Sequence, residues 1–302
     1  MEVLFMKGIV ILGPTAVGKT SLSIKLAKKL NTEIISADSA QVYTGMDIGT
    51  AKVDSEEAQG IFHHMIDIVE PINKYNVGEF QRRVNMILET FENEKKTPIL
   101  VGGTGLYINS VTNGLAELPQ SEPLLREQLD RKSAEELYEE LERIDPCAAK
   151  DIHPNNKRRV GRAVEIFHLT GEKFSVISKR NIKRNNFDFI KIGLERDRNN
   201  LYERINLRVD LMVQGGLIEE VKKLYTIYGE NLRKINVIGY SEIIDYFKGE
   251  ITFEEAVFQI KQNSRRYAKR QFTWFKNDPD VVWFDVEKMS EEEILEEILK
   301  LI

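Results

Sequence analysis

Short apolar runs recur along the chain at Gly8–Leu12, Glu33–Ala37, Pro98–Val101, Phe187–Leu194 and Val281–Asp285, each bounded by glycine, proline or polar residues. Runs of this length, rich in Ile and Val, predict buried strands. Between them the apolar positions take helical spacing. Ser21–Ala27 opens one helix, and Val77, Phe80, Val84, Ile87, Leu88 and Phe91 mark a second. Leu201, Ile205, Leu207, Val209, Met212 and Val213 are expected mostly on one face of a third. Two more helices are predicted, one ending over Ser264–Lys276 and an acidic one over 291–302 that covers the last strand. Strand and helix in alternation predict an α/β core with a mainly parallel sheet flanked by helices. The rhythm stops between about Leu118 and Asn186, where Leu124, Leu125, Leu129, Leu137, Leu141 and Ile144 keep helical spacing and Pro119, Pro123, Pro146 and Pro154 punctuate. The predicted organisation is therefore a core over 1–118 and 187–302 with an inserted all-helical subdomain over 119–186.

The strand ends carry the candidate chemistry. Gly13-Pro14-Thr15-Ala16-Val17-Gly18-Lys19-Thr20 fits G-x-x-x-x-G-K-[ST], follows the first strand directly and opens the first helix. In that context it reads as a phosphate loop, in which backbone N–H groups and a helix N-terminus face an anion. Lys19 supplies a mobile cation and the Thr20 hydroxyl a ligand for Mg²⁺. The second strand empties into Asp38-Ser39-Ala40-Gln41-Val42-Tyr43. Ligands of open parallel sheets bind beyond the carboxyl ends of the strands, so Asp38 is the candidate base, with a cap or turn role as the structural alternative. A polar, glycine-punctuated loop, Thr44–Lys52, follows. The next strand to carry a motif ends on Gly102-Gly103-Thr104-Gly105-Leu106-Tyr107 and not on the acidic residue that holds Mg²⁺ in NTP-hydrolysing machines, which argues against such a machine. His63 and His64 are adjacent, and neighbours on a strand point to opposite faces, so one packed and one solvent-facing histidine is expected in place of a metal pair.

Composition changes this picture only at the margins. The chain has 302 residues, a formal net charge of -5 and one cysteine. A nucleic-acid partner would have to meet local basic patches. Candidate patches are Lys157-Arg158-Arg159 with Arg162, then Lys179, Arg180, Lys183 and Arg184, and last the Arg265–Lys276 stretch, where Arg270 lies among aromatic residues. Arg204 and Arg208, one helical turn apart, can clamp phosphate or pair with Glu203 or Asp210. A lone Cys147 after a proline excludes a disulfide framework and reads as structural in a reducing compartment. The absence of any long apolar run points to a cytoplasmic protein with no membrane partner.

Taken together, the phosphate loop, DSAQVY at 38–43, GMDIGTAK at 45–52, GGTGLY at 102–107 and KRQFTW at 269–274 resemble the bacterial tRNA dimethylallyltransferases, also called tRNA isopentenyltransferases, over nearly the whole chain. The resemblance implies a P-loop NTPase-like core whose loop holds dimethylallyl diphosphate with Mg²⁺, and not ATP. It also implies prenyl transfer to N6 of adenosine 37, beside the anticodon of tRNA. By the same resemblance Asp38 is the general base and Thr20 the metal ligand. Lys19, Arg126 and Arg208 surround the diphosphate and the reacting base. Ser39, Ala40, Gln41, Thr104, Arg126, Arg158, Arg159, Arg162, Arg270 and the 235–240 segment contact RNA, with the insertion gripping the anticodon stem-loop. Action as a monomer is expected. From the residues alone, two alternatives stay open: a small-molecule kinase on the same loop, with Asp38 serving a hydroxyl, and a non-catalytic RNA-binding protein.

Overall fold

The computed structural model describes residues 6–180, 182 and 184–302. In chain order the elements are β1 (Met6–Leu12), α1 (Lys19–Leu30), β2 (Ile34–Ala37), α2 (Ser55–Ala58), β3 (His63–His64), α3 (Val77–Glu94), β4 (Ile99–Gly102) and α4 (Gly105–Thr112). The helices α5 (Pro123–Asp130), α6 (Ala134–Ile144), α7 (Pro146–Asp151), α8 (Lys157–Thr170) and α9 (Phe174–Ile177) follow. The chain then returns to β5 (Phe187–Glu195), α10 (Arg198–Gln214), α11 (Leu217–Tyr228), α12 (Glu230–Lys234), α13 (Tyr240–Phe247), α14 (Phe253–Lys276), β6 (Val281–Asp285) and α15 (Glu291–Leu301). Two compact units result, one of residues 1–112 and 185–302, the other of 113–184.

In the first unit six parallel strands form one sheet in the order β3-β2-β4-β1-β5-β6. The period-2 alternation of a strand sorts β1 between two cores. Ile9 and Ile11 face a cluster with Leu22, Leu26, Ile192, Ile205 and Ile298, while Val10 and Leu12 face Phe80, Val84, Leu88, Ile108 and Phe275. A third cluster joins Met46, Val209, Leu217, Val221, Leu224, Tyr240, Ile243 and Ile260. Leu207 departs from the expected stripe on α10, being 59% exposed, because at 3.6 residues per turn it lies on the side of the helix opposite Ile205 and Val209, which with Leu201 form the buried line.

The helix starts are legible in chemical terms. Asn76 with Glu79, Ser133 with Glu136, Thr252 with Glu255 and Ser290 with Glu293 are reciprocal capping boxes. Among its described residues the second unit holds the helices α5 to α9 joined by loops, with no strand, and packs Leu129, Leu137, Leu141, Val160 and Val164 into its own core. Cys147 is exposed on α7, so the structural role expected of it is not met: its side chain packs into no core. Lys183 lies outside the described residues. Among those residues no helix is long and apolar enough to cross a membrane.

The register of the sheet rests on a close backbone approach at Gly102, which pairs with both Leu12 and Ala37. A Cβ there would lie 2.2 Å from the Ala37 carbonyl oxygen. Gly102→Ala is therefore expected to cost about 1–3 kcal/mol or more, because the obstacle is backbone and cannot rotate away. Urea unfolding checks this; an unchanged midpoint would mean that β2 and β4 can part freely at this level.

Candidate active site

The phosphate loop leaves β1 at Leu12 and turns into α1 at Lys19. Within it the Lys19 ammonium donates to the carbonyls of Gly13 (3.0 Å) and Pro14 (2.7 Å). Burial lowers the pKa of Lys19 to about 7; the Arg208 cation pushes the same way and the Asp38 carboxylate opposes both. Three side chains from distant helices fasten the crown of the loop. Gln271 of α14 accepts from the Thr15 N–H (2.9 Å) and donates to the Gly103 carbonyl (2.9 Å), bridging the ends of β1 and β4. From α10, Arg208 donates to the Thr15 hydroxyl (3.1 Å) and Arg204 to the Ala16 carbonyl (3.0 Å). The two arginines thus serve the loop, while Asp210 pairs with Lys261 (2.6 Å). Arg208 is half-buried, and desolvation draws its pKa down against the attraction of Asp38 and Glu57.

Asp38 follows β2. Its Oδ1 accepts from the Ala40 N–H (2.8 Å) and, at longer range, the Gln41 N–H (3.4 Å), so the turn alternative describes one of its oxygens. Thr104, at the mouth of α4, accepts from the Ser39 N–H (3.0 Å) and donates to the Ser39 hydroxyl (3.3 Å). Gln41 accepts from Ser36 and donates to the carbonyls of Thr50 and Ala51, tying the end of β2 to the 45–52 loop. Tyr267 completes the wall. Burial and nearby Asp38 raise its pKa, against hydrogen bonds with Thr104 and Gln271. Exposed Arg270 lies over the Tyr267 ring, 5.7 Å from its centroid.

Two cavities meet at this wall. The smaller, about 100 Å³, is lined by Lys19, Thr20, Gly102 and Gln271; the larger, about 460 Å³, by Gly49, Asn236, Gly239, Asn263 and Arg270. Thr15, Asp38, Arg208 and Tyr267 border both. The smaller chamber presents cations and the phosphate loop, a setting for an anion. The larger mixes polar and apolar lining, as a planar heterocycle would need.

The family model for IPP transferase matches residues 41–278. The chain belongs to the IPP transferase family. It is 59% identical over 295 residues to the tRNA dimethylallyltransferase of Fusobacterium nucleatum, covering 98% of this chain and 97% of that one. To the enzyme of the same name from Anoxybacillus flavithermus it is 51% identical, covering 93% and 90%. Among solved structures, a tRNA isopentenylpyrophosphate transferase from Bacillus halodurans superposes with a TM-score of 0.73 at 44% identity, over 98% of this chain and 95% of that one. A eukaryotic dimethylallyltransferase acting on tRNA gives 0.82 at 32% identity, over 93% and 74%.

The residues read from the sequence fall in two places. Gly13, Pro14, Thr15, Ala16, Val17, Gly18, Lys19, Thr20, Asp38, Ser39, Ala40, Gln41, Thr104, Arg208 and Arg270 belong to the first unit of this IPP transferase family member; Arg126, Arg158, Arg159 and Arg162 to the second. There Arg158 and Arg159 are exposed at the start of α8. Arg126 and Arg162 instead converge on Glu165, a fully buried carboxylate, at 3.3 and 2.7 Å. Glu165 also accepts from the Ser121 hydroxyl and the Glu122 N–H, and these bonds and cations hold its pKa low despite burial. His63 and His64 are both half-buried, His64 bonded to Glu33 (2.6 Å) and His63 to the Ile61 carbonyl (3.0 Å).

Gln271, Tyr267 and Glu165 were not among the residues singled out for the site. For Gln271 a signal existed: it shares the buried stripe of α14 with Ala268 and Phe275, and a glutamine at such a position needs polar partners.

Because Lys19 sits near pKa 7 without an anion and gains opposite charge with one, binding should raise its pKa and take up a proton. Titration calorimetry of inorganic diphosphate at about pH 8, in buffers of differing ionisation enthalpy, should show uptake that is smaller by up to one proton in Lys19→Met. The sign follows: below about pH 7 the amine is charged in both states and the difference vanishes, whereas above it only the complex holds the proton. Equal proton counts for the two proteins would show that the amine is already charged before binding.

Proposed function

We propose that the chain transfers the dimethylallyl group of dimethylallyl diphosphate to N6 of adenosine 37 of tRNA, releasing diphosphate, in the cytoplasm and as a monomer. The observation that carries this reading is Asp38 on the border of both chambers, with the phosphate loop on one side and the mixed polar and apolar cavity on the other. Diphosphate occupies the smaller chamber, its charge met by loop N–H groups, Lys19 and Arg208. The adenine leaves its stack and enters the larger one, as chemistry on a base requires. The N6 lone pair attacks C1 of the prenyl group, the C1–O bond breaks with its electrons going to diphosphate, and the Asp38 carboxylate takes the N6 proton. An aromatic amine is a poor nucleophile, so holding it against C1 between base and leaving group is most of what the site must do.

The donor set also fits Mg²⁺. The Thr20 hydroxyl is a hard oxygen ligand lining the smaller chamber, and Mg²⁺ takes few protein ligands when substrate phosphates supply the rest. Among the described residues no group of three or more His, Cys, Asp or Glu could hold a metal alone, so the diphosphate itself would complete the shell. The ion would supply charge neutralisation at the leaving group. Ser39, Ala40, Gln41, Thr104 and Arg270 contact the RNA around the flipped base, and Arg126, Arg158, Arg159 and Arg162 of the helical insertion contact the anticodon stem-loop.

Purified protein incubated with Mg²⁺, unmodified tRNA and labelled dimethylallyl diphosphate should yield labelled N6-dimethylallyladenosine. Phosphate transfer from ATP in a parallel tube, with no labelled tRNA, would replace the reading with a kinase. Asp38→Ala should lower turnover by about 10²-fold or more while tRNA binding holds; near-normal turnover would remove Asp38 from the chemistry.

A further inference from the structure

The wall of the larger cavity includes two loops with little secondary structure of their own, one at Gly49 and Thr50, the other at Asn236–Gly239. The Met46–Lys52 loop is short of apolar anchors; Met46 alone is fully buried. Its 47–49 stretch is held by Glu220, on the helix α11. Its carboxylate accepts from three successive backbone N–H groups, of Asp47 (2.9 Å), Ile48 (2.7 Å) and Gly49 (3.0 Å). Three consecutive N–H groups converging on one anion form a nest, here filled by the protein's own side chain. The fourth donor is the Tyr240 hydroxyl, at 2.6 Å. Tyr240 begins α13, directly after the second loop, and is 1% exposed. Its ring lies against Gly49, where a Cβ would come within 2.6 Å of a ring carbon.

We infer that Glu220 and Tyr240 are positioning residues that lock the two loops of the acceptor cavity to each other, and so set how tightly the adenosine is held. The inference rests on the proposed prenyl transfer, which makes the larger cavity the acceptor site. Tyr240 is the last residue of the 235–240 segment expected to contact RNA, yet it is buried and does not line the cavity, so it is set apart from the rest of that segment. Its effect passes through the Glu220 carboxylate to the backbone of residues 47–49. Lys52 fixes the far end of the loop on the Tyr43 carbonyl, Asp47 and Asp67, and Gln41 holds the Thr50 and Ala51 carbonyls, which leaves the backbone of residues 47–49 to the Glu220 knot. α11 and α13 share one core through Leu217, Val221, Ile243 and Ile244, so the knot is anchored on a rigid base.

Two variants test this without opening a core. Tyr240→Phe removes one hydroxyl and keeps the ring on Gly49. Glu220→Gln leaves one acceptor oxygen and turns an amide N–H₂ toward backbone donors. Both should melt near the unaltered protein. The KM for an unmodified anticodon stem-loop should rise about tenfold in each, with the KM for dimethylallyl diphosphate unchanged. The double variant should add little to Glu220→Gln, as expected for two members of one network. Stem-loop affinity by fluorescence anisotropy without the prenyl donor gives a second readout independent of turnover, and should weaken in parallel. Unchanged RNA affinity in folded variants would overturn the inference. An equal rise in both KM values would also overturn it, showing a general structural role. If the unaltered protein transfers no prenyl group, the proposed function fails instead, a result separable from either of these.

Discussion

Parallel pairing in register brings Ala37, Gly102, Leu12 and Gly193 to one level across four neighbouring strands, and everything chemical in the first unit begins one residue later. The phosphate loop departs at Gly13, the turn with Asp38 at the end of β2, and the Gly103-Thr104 turn at the end of β4. Such ends sit only about 4.8 Å apart laterally, so groups on adjacent strands meet around one small ligand. Gly102 is what lets the central strands close to that spacing, since any side chain there would meet the Ala37 carbonyl. The glycines ending β4 therefore have a structural reason that also removes the acidic residue an NTP-hydrolysing machine would carry.

On that frame the phosphate loop is held ready at an electrostatic cost. Lys19 and Arg208 are both partly withdrawn from solvent, and that desolvation draws both toward their neutral forms. In place of an anion, the ammonium is satisfied by the loop's own carbonyls and Arg208 by the Thr15 hydroxyl. Each of these is a bond to a neutral oxygen, weaker than one to phosphate. An entering diphosphate would exchange them for charge-assisted bonds without first assembling the site. Gln271, Arg204 and Arg208, reaching in from α14 and α10, fasten the crown of the loop independently of the lysine.

The sequence made the skeleton of this arrangement readable because its determinants are local. Strand runs, capping boxes and the glycine spacing of the phosphate loop all act within a few residues. Asp38 was legible for the same reason: it ends a strand in a sheet whose strand ends bind ligands. Gln271 on Thr15, Arg204 on Ala16 and Glu220 on residues 47–49 join positions more than 150 residues apart, and no periodicity encodes such partners. Arg204 and Arg208 were visible as a pair that could clamp phosphate or join the acids on their own helix, but their bonds to Thr15 and Ala16 could not be seen from spacing. Leu207 shows the limit of counting apolar residues without their phase: two positions from both Ile205 and Val209, it falls on the opposite side of the helix and is exposed.

The helical insertion makes a related point about charge. Counting basic residues treats Arg126, Arg158, Arg159 and Arg162 as equivalent, yet Glu165 separates them into two kinds. Arg126 and Arg162 share one buried carboxylate, and Arg162 spends a further N–H on the Pro119 carbonyl, so their guanidinium planes are fixed and much of their charge is balanced internally. Arg158 and Arg159 stand exposed at the start of α8 with no acid in that first turn. On the proposed reading, the exposed pair supplies the long-range, salt-sensitive attraction to a phosphate backbone, while the seated pair supplies donors in a set geometry. A buried glutamate, costly as an isolated charge, is then what turns two mobile cations into oriented hydrogen-bond donors.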